Sequence, residues 1–115
     1  MAHTTYDASS VQSKRLRKAA GVYLKGLRVD QGMTQRELAS AVGLDYYTFI
    51  SQLECGSGRV PPHLYIPFAD AFDVDRPEFA KQMLKYYDPF GYQALFGNSP
   101  YEMKFSSDKE SRGSA

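Results

Sequence analysis

Hydrophobic positions recur every three to four residues through most of the chain, and this spacing predicts helices. The first predicted helix runs from about residue 14 to residue 31, with Ser13 as its N-cap and Gly32 as its stop. Its core-facing positions are Leu16, Ala20, Tyr23, Leu24 and Leu27. Its first turn is crowded with basic residues, which form either a solvated face or a surface that reaches phosphates: Lys14, Arg15, Arg17 and Lys18.

Two shorter helices joined by a tight turn are predicted within residues 33–54. Thr34 and Glu37 have the spacing of a capping box at the start of the first of them. Gly43 follows this helix, where the chain needs a positive φ to leave it. The second helix begins at residue 45 or 46. The apolar positions of the two helices are Leu38, Ala41 and Val42, then Phe49, Ile50 and Leu53. The outer face of the second helix is polar and uncharged, with Tyr47, Thr48, Ser51 and Gln52.

A loop rich in glycine and proline is predicted at residues 55–62. The helix after it covers about residues 63–72. Pro67 lies inside that range, so the helix either begins later than residue 63 or bends at Ile66. Its inward positions are Leu64, Phe68, Ala71 and Phe72.

The C-terminal part of the chain is rich in aromatic residues. Asp75 and Glu78 predict a second capping box, at the start of a helix that ends near Asp88, and a last short helix ends at Gly97. Seven of the sixteen aromatic residues fall within residues 86–105, which is more than one small bundle can bury. They either close a satellite core or form a homodimer interface, for which the candidates are Phe90, Tyr92, Leu95 and Phe96.

The composition limits the classes of protein to which this chain can belong. At 115 residues, of which 43% are hydrophobic, the chain can form one small core. The net charge is +1, but residues 1–60 carry +3 and residues 61–115 carry −2, which favours a basic docking surface. A single cysteine, with no secretion or membrane signal, predicts a cytoplasmic protein. No spacing predicts a catalytic or metal site, so we expect no enzyme and no cofactor.

The segment with the two short helices has a recognisable order of residues. It reads Thr34-Gln35-x-x-Leu38-Ala39-x-x-x-Gly43-Leu44 and then Ile50-Ser51-Gln52-Leu53-Glu54-x-Gly56. This pattern resembles the Cro/CI-type helix-turn-helix of the lambda-repressor-like (XRE) family, over about residues 24–79. The resemblance implies an all-α, five-helix DNA-binding domain, here with one further short C-terminal helix. The interval from Gly43 to Glu54 is one residue longer than the family pattern, and the additional residue falls near Asp45 and Tyr46.

The resemblance also implies roles for particular residues. Gln35 is expected to clamp a DNA phosphate, and Arg28 to pair with Glu54 while it still presents a nitrogen to phosphate. Ser57 and Arg59 lie in the loop that contacts the DNA backbone in the family. The residues expected to reach base edges or adjacent phosphates are Tyr46, Tyr47, Thr48, Ser51 and Gln52.

These features predict a sequence-specific transcriptional regulator that binds double-stranded DNA as a homodimer, with repression the commoner outcome in the family. A recognition helix at about residues 46–54 enters the major groove of an inverted-repeat operator. The expected organisation is a disordered arm at residues 1–13, a DNA-binding domain at 14–74, a helical extension at 75–97 and a mostly disordered tail at 98–115. Two alternatives stay open: the antitoxin of a toxin–antitoxin pair, with a protein partner at the aromatic region, and an interaction module without DNA binding.

Overall fold

The computed structural model describes the backbone of residues 2–97 and the side chains of residues 11–97. Within residues 2–97 it contains helices and no strand, so the predicted all-α class is confirmed. The helices are α1 (Ala2–Asp30), α2 (Gln35–Ala41), α3 (Thr48–Cys55), α4 (Tyr65–Phe72), α5 (Arg76–Tyr87) and α6 (Pro89–Phe96), and a 3₁₀ turn (Pro62–Leu64) precedes α4. The tail expected at residues 98–115 lies outside the described residues.

α1 is longer than its sequence pattern predicts. The prediction of an N-cap at Ser13 is wrong, because α1 begins at Ala2 and Ser13 lies within it. The backbone of residues 2–13, expected to be a disordered arm, is helical. Residues 2–20 contain no proline or glycine. Nothing local therefore stops the helix, and each residue added to a formed helix gains a backbone hydrogen bond.

The caps around α2 form as predicted, but the turn that follows is longer than the predicted one. The hydroxyl of Thr34 accepts from the backbone N–H of Glu37 at 3.0 Å, and the Glu37 carboxylate accepts from the N–H of Thr34 at 2.8 Å. Gly43 has the expected positive φ, +80°. α3 begins at Thr48, later than predicted, so the turn takes up the additional residue and Tyr46 belongs to the turn.

α4 accommodates Pro67 by starting late, which was one of the two predicted alternatives. The helix begins at Tyr65, so the proline lies in its first turn, where a backbone N–H has no partner within the helix. Asp75 caps α5 as predicted, since its carboxylate accepts from the N–H of Glu78 at 3.0 Å. The second hydrogen bond of a capping box, from the N–H of Asp75 to the Glu78 carboxylate, does not form. The Glu78 carboxylate instead accepts from Gln82 Nε2 at 3.0 Å.

Phe79 of α5 lies at the centre of the core. Its ring centroid is 5.9 Å from that of Phe72, 6.5 Å from that of Phe68 and 6.3 Å from that of Tyr23. These rings join α1, α4 and α5 into one body on which α3 packs through Leu53. Burial of apolar side chains of this size supplies most of the free energy that holds such a small bundle together.

The buried face of α2 is rotated relative to the prediction. Ala41 is exposed, whereas Ala39 is buried together with Leu38 and Val42. α2 packs against both α3 and α4, so its buried face is centred between these two neighbours. The sequence pattern alone could not place that centre, because an alanine is compatible with either environment.

Candidate nucleic-acid interface

α3 is amphipathic, with an uncharged polar outer face. Ile50 and Leu53 are each 1% exposed and belong to the core. Thr48, Ser51 and Gln52 are exposed on the other side. The helix carries no basic residue. Its outer face therefore offers hydroxyl and amide groups, which are the groups that pair with base edges in a major groove.

The two tyrosines before α3 lie in different environments. Tyr47 is the N-cap residue of α3 and is 37% exposed. Tyr46 lies in the preceding turn and is 75% exposed. The structure thus places Tyr47 at the edge of the polar face and Tyr46 outside the helix in which it was predicted.

An ion pair joins the end of α1 to the end of α3. Arg28 Nε donates to Glu54 Oε2 at 2.7 Å, and Arg28 Nη2 donates to Glu54 Oε1 at 3.1 Å. The contact implied by the family resemblance is therefore present with two-bond geometry. The side chains are only 12% and 6% exposed, so water screens their attraction weakly. Arg28 Nη1 also donates to the carbonyl oxygen of Met33 at 2.8 Å.

Gln35 connects α2 to the same ion pair. Its Nε2 donates to Glu54 Oε1 at 3.0 Å. We call Arg28, Gln35 and Glu54 the clamp, because together they tie α3 to both α1 and α2. Loss of either charge would leave its partner withdrawn from water without compensation, so the clamp resists movement of α3.

α1 and α3 approach each other closely at Gly21, a residue that sequence reasoning missed. A Cβ atom at Gly21 would collide with the carbonyl oxygen of Glu54 and would lie 2.9 Å from that of Leu53. A glycine inside a helix weakens it by roughly 1 kcal/mol relative to alanine, which was the available signal of a packing constraint. Only a residue without a side chain allows α1 to seat the end of α3 here.

The loop after α3 uses its backbone amides internally. The carbonyl oxygen of Gln52 accepts from the N–H groups of Ser57 and Gly58 at 3.0 and 3.1 Å, and Gly56 ends the helix with a φ of +87°. The Ser57 hydroxyl donates to the same carbonyl at 3.4 Å. Neither amide, nor the Ser57 hydroxyl proton, is therefore free to donate to a phosphate, so the phosphate contact expected of Ser57 does not fit this structure.

Arg59 is also engaged within the domain. Its Nη2 donates to the carbonyl oxygen of Tyr87 at 3.1 Å, and its guanidinium carbon lies 5.2 Å from the centre of the Tyr87 ring. This contact attaches the loop to the end of α5. The sequence suggested a phosphate contact for Arg59 and gave no sign of this structural one.

A further residue at the edge of α3 was not predicted. The guanidinium carbon of Arg36 lies 4.3 Å from the centre of the Tyr47 ring. Two open grooves meet at this stacked pair, one of about 410 Å³ bounded by the start of α2 and one of about 530 Å³ bounded by the turn. A contact between side chains on separate helices has no signature in hydrophobic spacing.

α6 presents an apolar surface, although not all of the predicted one. Phe90, Leu95 and Phe96 are 71%, 68% and 43% exposed. Tyr92 is 5% exposed, with its ring centroid 5.0 Å from that of Phe96. The prediction that Tyr92 forms part of an interface is wrong for this structure, because the residue lies on the side of α6 that faces the domain.

Membrane spans and metal clusters are both absent from the described residues. No helix there is long and apolar enough to cross a membrane. No group of three or more His, Cys, Asp or Glu side chains in that part of the chain is arranged to hold a metal ion.

The α2–turn–α3 unit defines a helix-turn-helix protein, and comparison with known proteins gives it a family. Two crystal structures of the clp gene regulator ClgR from Corynebacterium glutamicum are similar to this chain. One is 31% identical with a TM-score of 0.50, over 59% of this chain and 87% of ClgR. The other is 26% identical with a TM-score of 0.51, over 84% of this chain and 87% of ClgR. No family model and no curated protein matches the chain. The chain belongs to the family of the gene regulator ClgR.

Proposed function

We propose that the protein is a transcriptional regulator that binds double-stranded DNA sequence-specifically through the outer face of α3. The observation that carries this proposal is an uncharged, hydrogen-bonding face on a helix that the nearly buried clamp fixes to two neighbours. A face that served only solubility would gain nothing from such fixation. Base readout requires it, because each side chain must meet one donor and acceptor pattern. The similarity to a gene regulator supports the same conclusion.

Each residue of the face has a chemistry that suits this role. Gln52 can form two hydrogen bonds with adenine, and the methyl group of Thr48 can lie against the methyl group of thymine. Ser51 can donate to or accept from either kind of base edge. Tyr46 and Tyr47 would contact the sugar-phosphate backbone. The proposed phosphate contacts of the clamp are the remaining N–H groups of Arg28 and Gln35.

We extend the proposal to a homodimer formed through α6. Phe90, Leu95 and Phe96 form an exposed apolar surface of the kind found at the centre of interfaces. Two copies related by a two-fold axis would place their α3 helices in successive major grooves, about 34 Å apart. The corresponding operator is an approximate inverted repeat, and its occupation would block transcription.

Substitution of Gln52 tests the role of α3. Binding sites are first selected from a pool of random duplexes. Gln52→Ala should lose about 1–3 kcal/mol of binding free energy on the selected site and almost none on random duplex. Gln82→Ala is the matched control, since it removes a glutamine that only donates to Glu78 on α5. If Gln52→Ala distinguished the selected site from random duplex as well as the parent does, Gln52 would not contribute to base readout.

Sedimentation of the free and DNA-bound protein tests the role of α6. We expect a dimer in both states. If the protein were a monomer in both states, we would expect the exposed surface of α6 to bind a different protein, as in the antitoxin alternative. Co-purification of a small protein encoded beside this one would then identify that partner.

A further inference from the structure

Binding to DNA requires cations that contact phosphates, and α3 supplies none. The two arginines that the family resemblance assigns to phosphates, Arg28 and Arg59, already have partners in the domain. Arg28 donates to Glu54 and to the carbonyl oxygen of Met33. Arg59 donates to the carbonyl oxygen of Tyr87 and lies over its ring. The charge of Arg28 is balanced by Glu54, and Arg59 is directed to the end of α5, so a phosphate beside the start of α3 would gain from a further cation.

Arg36 has the properties of that cation. It is exposed at the second position of α2, and it forms no ion pair with the side chains of residues 11–97. Its side chain borders both open grooves at the start of α3. Arg28, Thr34 and Gln35 also line one of these grooves, and Asp45 lines the other.

Tyr47 determines where the Arg36 guanidinium lies. The distance of 4.3 Å from guanidinium carbon to ring centre is a cation–π contact. Stacking uses a face of the planar guanidinium and leaves the N–H groups at its edge able to donate. A side chain already restricted in this way loses less conformational entropy when it binds. Tyr47 directly precedes Thr48, so the cation is held at the N-terminal end of α3.

Arg36 lies at the N-terminal end of α3, and this end of the helix matters for base contacts. In helix-turn-helix proteins the N-terminal residues of the recognition helix contact base edges. A cation at that end lies beside the strand whose bases are read, where a phosphate group is always present. Tyr47 is the N-cap residue of α3, and its ring contacts Arg36 of α2.

We propose that Arg36 binds a DNA phosphate beside the bases contacted by α3, and that Tyr47 is the positioning residue that holds its guanidinium there. This inference rests on the proposed function. It adds a sequence-independent contact beside the side chains that are proposed to discriminate between bases. The contact should therefore appear in the salt dependence of binding and not in the preference for one sequence.

The test is binding of a fluorescent duplex of random sequence between about 50 and 200 mM salt. Arg36→Gln should bind about fivefold more weakly near 0.1 M salt, and the slope of log K against log salt should fall by about 0.9 for each phosphate that is no longer neutralised. Arg36→Lys should keep the slope, because the charge remains. Arg76→Gln is the control, since it removes the same charge from a surface pair with Asp70 and should change neither quantity.

A double-mutant cycle tests the role of Tyr47. Tyr47→Leu should weaken binding of random duplex more in the parent than in the Arg36→Gln background. An equal cost in both backgrounds would overturn the positioning role.

The phosphate contact has its own contradicting result. If the parent binds DNA and Arg36→Gln has the same affinity and the same salt slope as the parent, Arg36 does not contact a phosphate. If the parent itself bound no duplex at low salt, the proposed function would fail, and this inference with it. Thermal unfolding checks that each variant is folded.

Discussion

α3 and α6 are helices of the same length with opposite surfaces and opposite attachments. α3 presents polar side chains, and the clamp holds it through charges that water hardly reaches. α6 presents Phe90, Leu95 and Phe96, and it packs chiefly on α5. Among the described residues, no ion pair involves α6.

The difference fits the role proposed for each surface. A helix that reads bases must keep its side chains in fixed register, and directional bonds such as those of Arg28 supply that register. A helix that meets another apolar surface needs area and shape, since the hydrophobic effect has no direction. Substitutions should therefore act strongly on the attachment of α3 and weakly on α6.

Glu54→Gln should have the greatest effect on stability. It leaves Arg28 withdrawn from water without a counter-charge, and we expect a loss of about 3 kcal/mol in the free energy of unfolding by urea. Asp70→Asn is the control, because it breaks an ion pair whose side chains are 52% and 57% exposed. That change should cost little stability, because water screens an exposed pair. Equal losses would mean that the clamp does not hold α3.

Gly21→Ala should be the next most costly change. The added Cβ meets the carbonyl oxygen of Glu54, so α1 and α3 must separate, at a cost of about 1–3 kcal/mol. Gly26→Ala is a matched change in the same helix, with no atom within 4 Å of the new Cβ. It should stabilise the protein by about 0.5–1 kcal/mol. Opposite signs in thermal unfolding are the expected result, and a neutral Gly21→Ala would contradict the close approach.

The sequence predicts the local features of this fold better than the tertiary ones. The cap at Thr34 and the positive φ of Gly43 depend on residues near them in the chain, so local rules find them. The burial of Tyr92 and the stacking of Arg36 on Tyr47 depend on how helices meet, which spacing does not encode. The start of α3 was misplaced because several turn lengths are compatible with the same residues.

Alkaline pH should loosen the α1–α5 side of the molecule. Burial, with Tyr86 and Glu78 nearby, raises the pKa of Tyr23 from 10.0 to about 12. The folded pKa lies above the unfolded one, so the neutral phenol stabilises the fold below about pH 10. This contribution is lost as the pH rises from about 10 to about 12. Tyr23→Phe cannot ionise there, so its unfolding free energy should fall less over that interval; an identical fall would refute the assignment.

Phe90→Ser should have the smallest effect on the folded monomer. The side chain is 71% exposed, so the free energy of unfolding at low protein concentration should stay within about 0.5 kcal/mol of the parent. Sedimentation should instead show a shift from dimer to monomer. Unchanged self-association would exclude Phe90 from the interface.

Amide NMR spectra during addition of a short duplex compare the two helices in one experiment. If α3 is the surface that meets DNA, the signals of residues 47–52 should shift with the duplex, while those of residues 90–96 stay in place. Shifts confined to α6, or none at a salt concentration low enough for non-specific binding, would contradict the assignment of α3 as the DNA-reading helix.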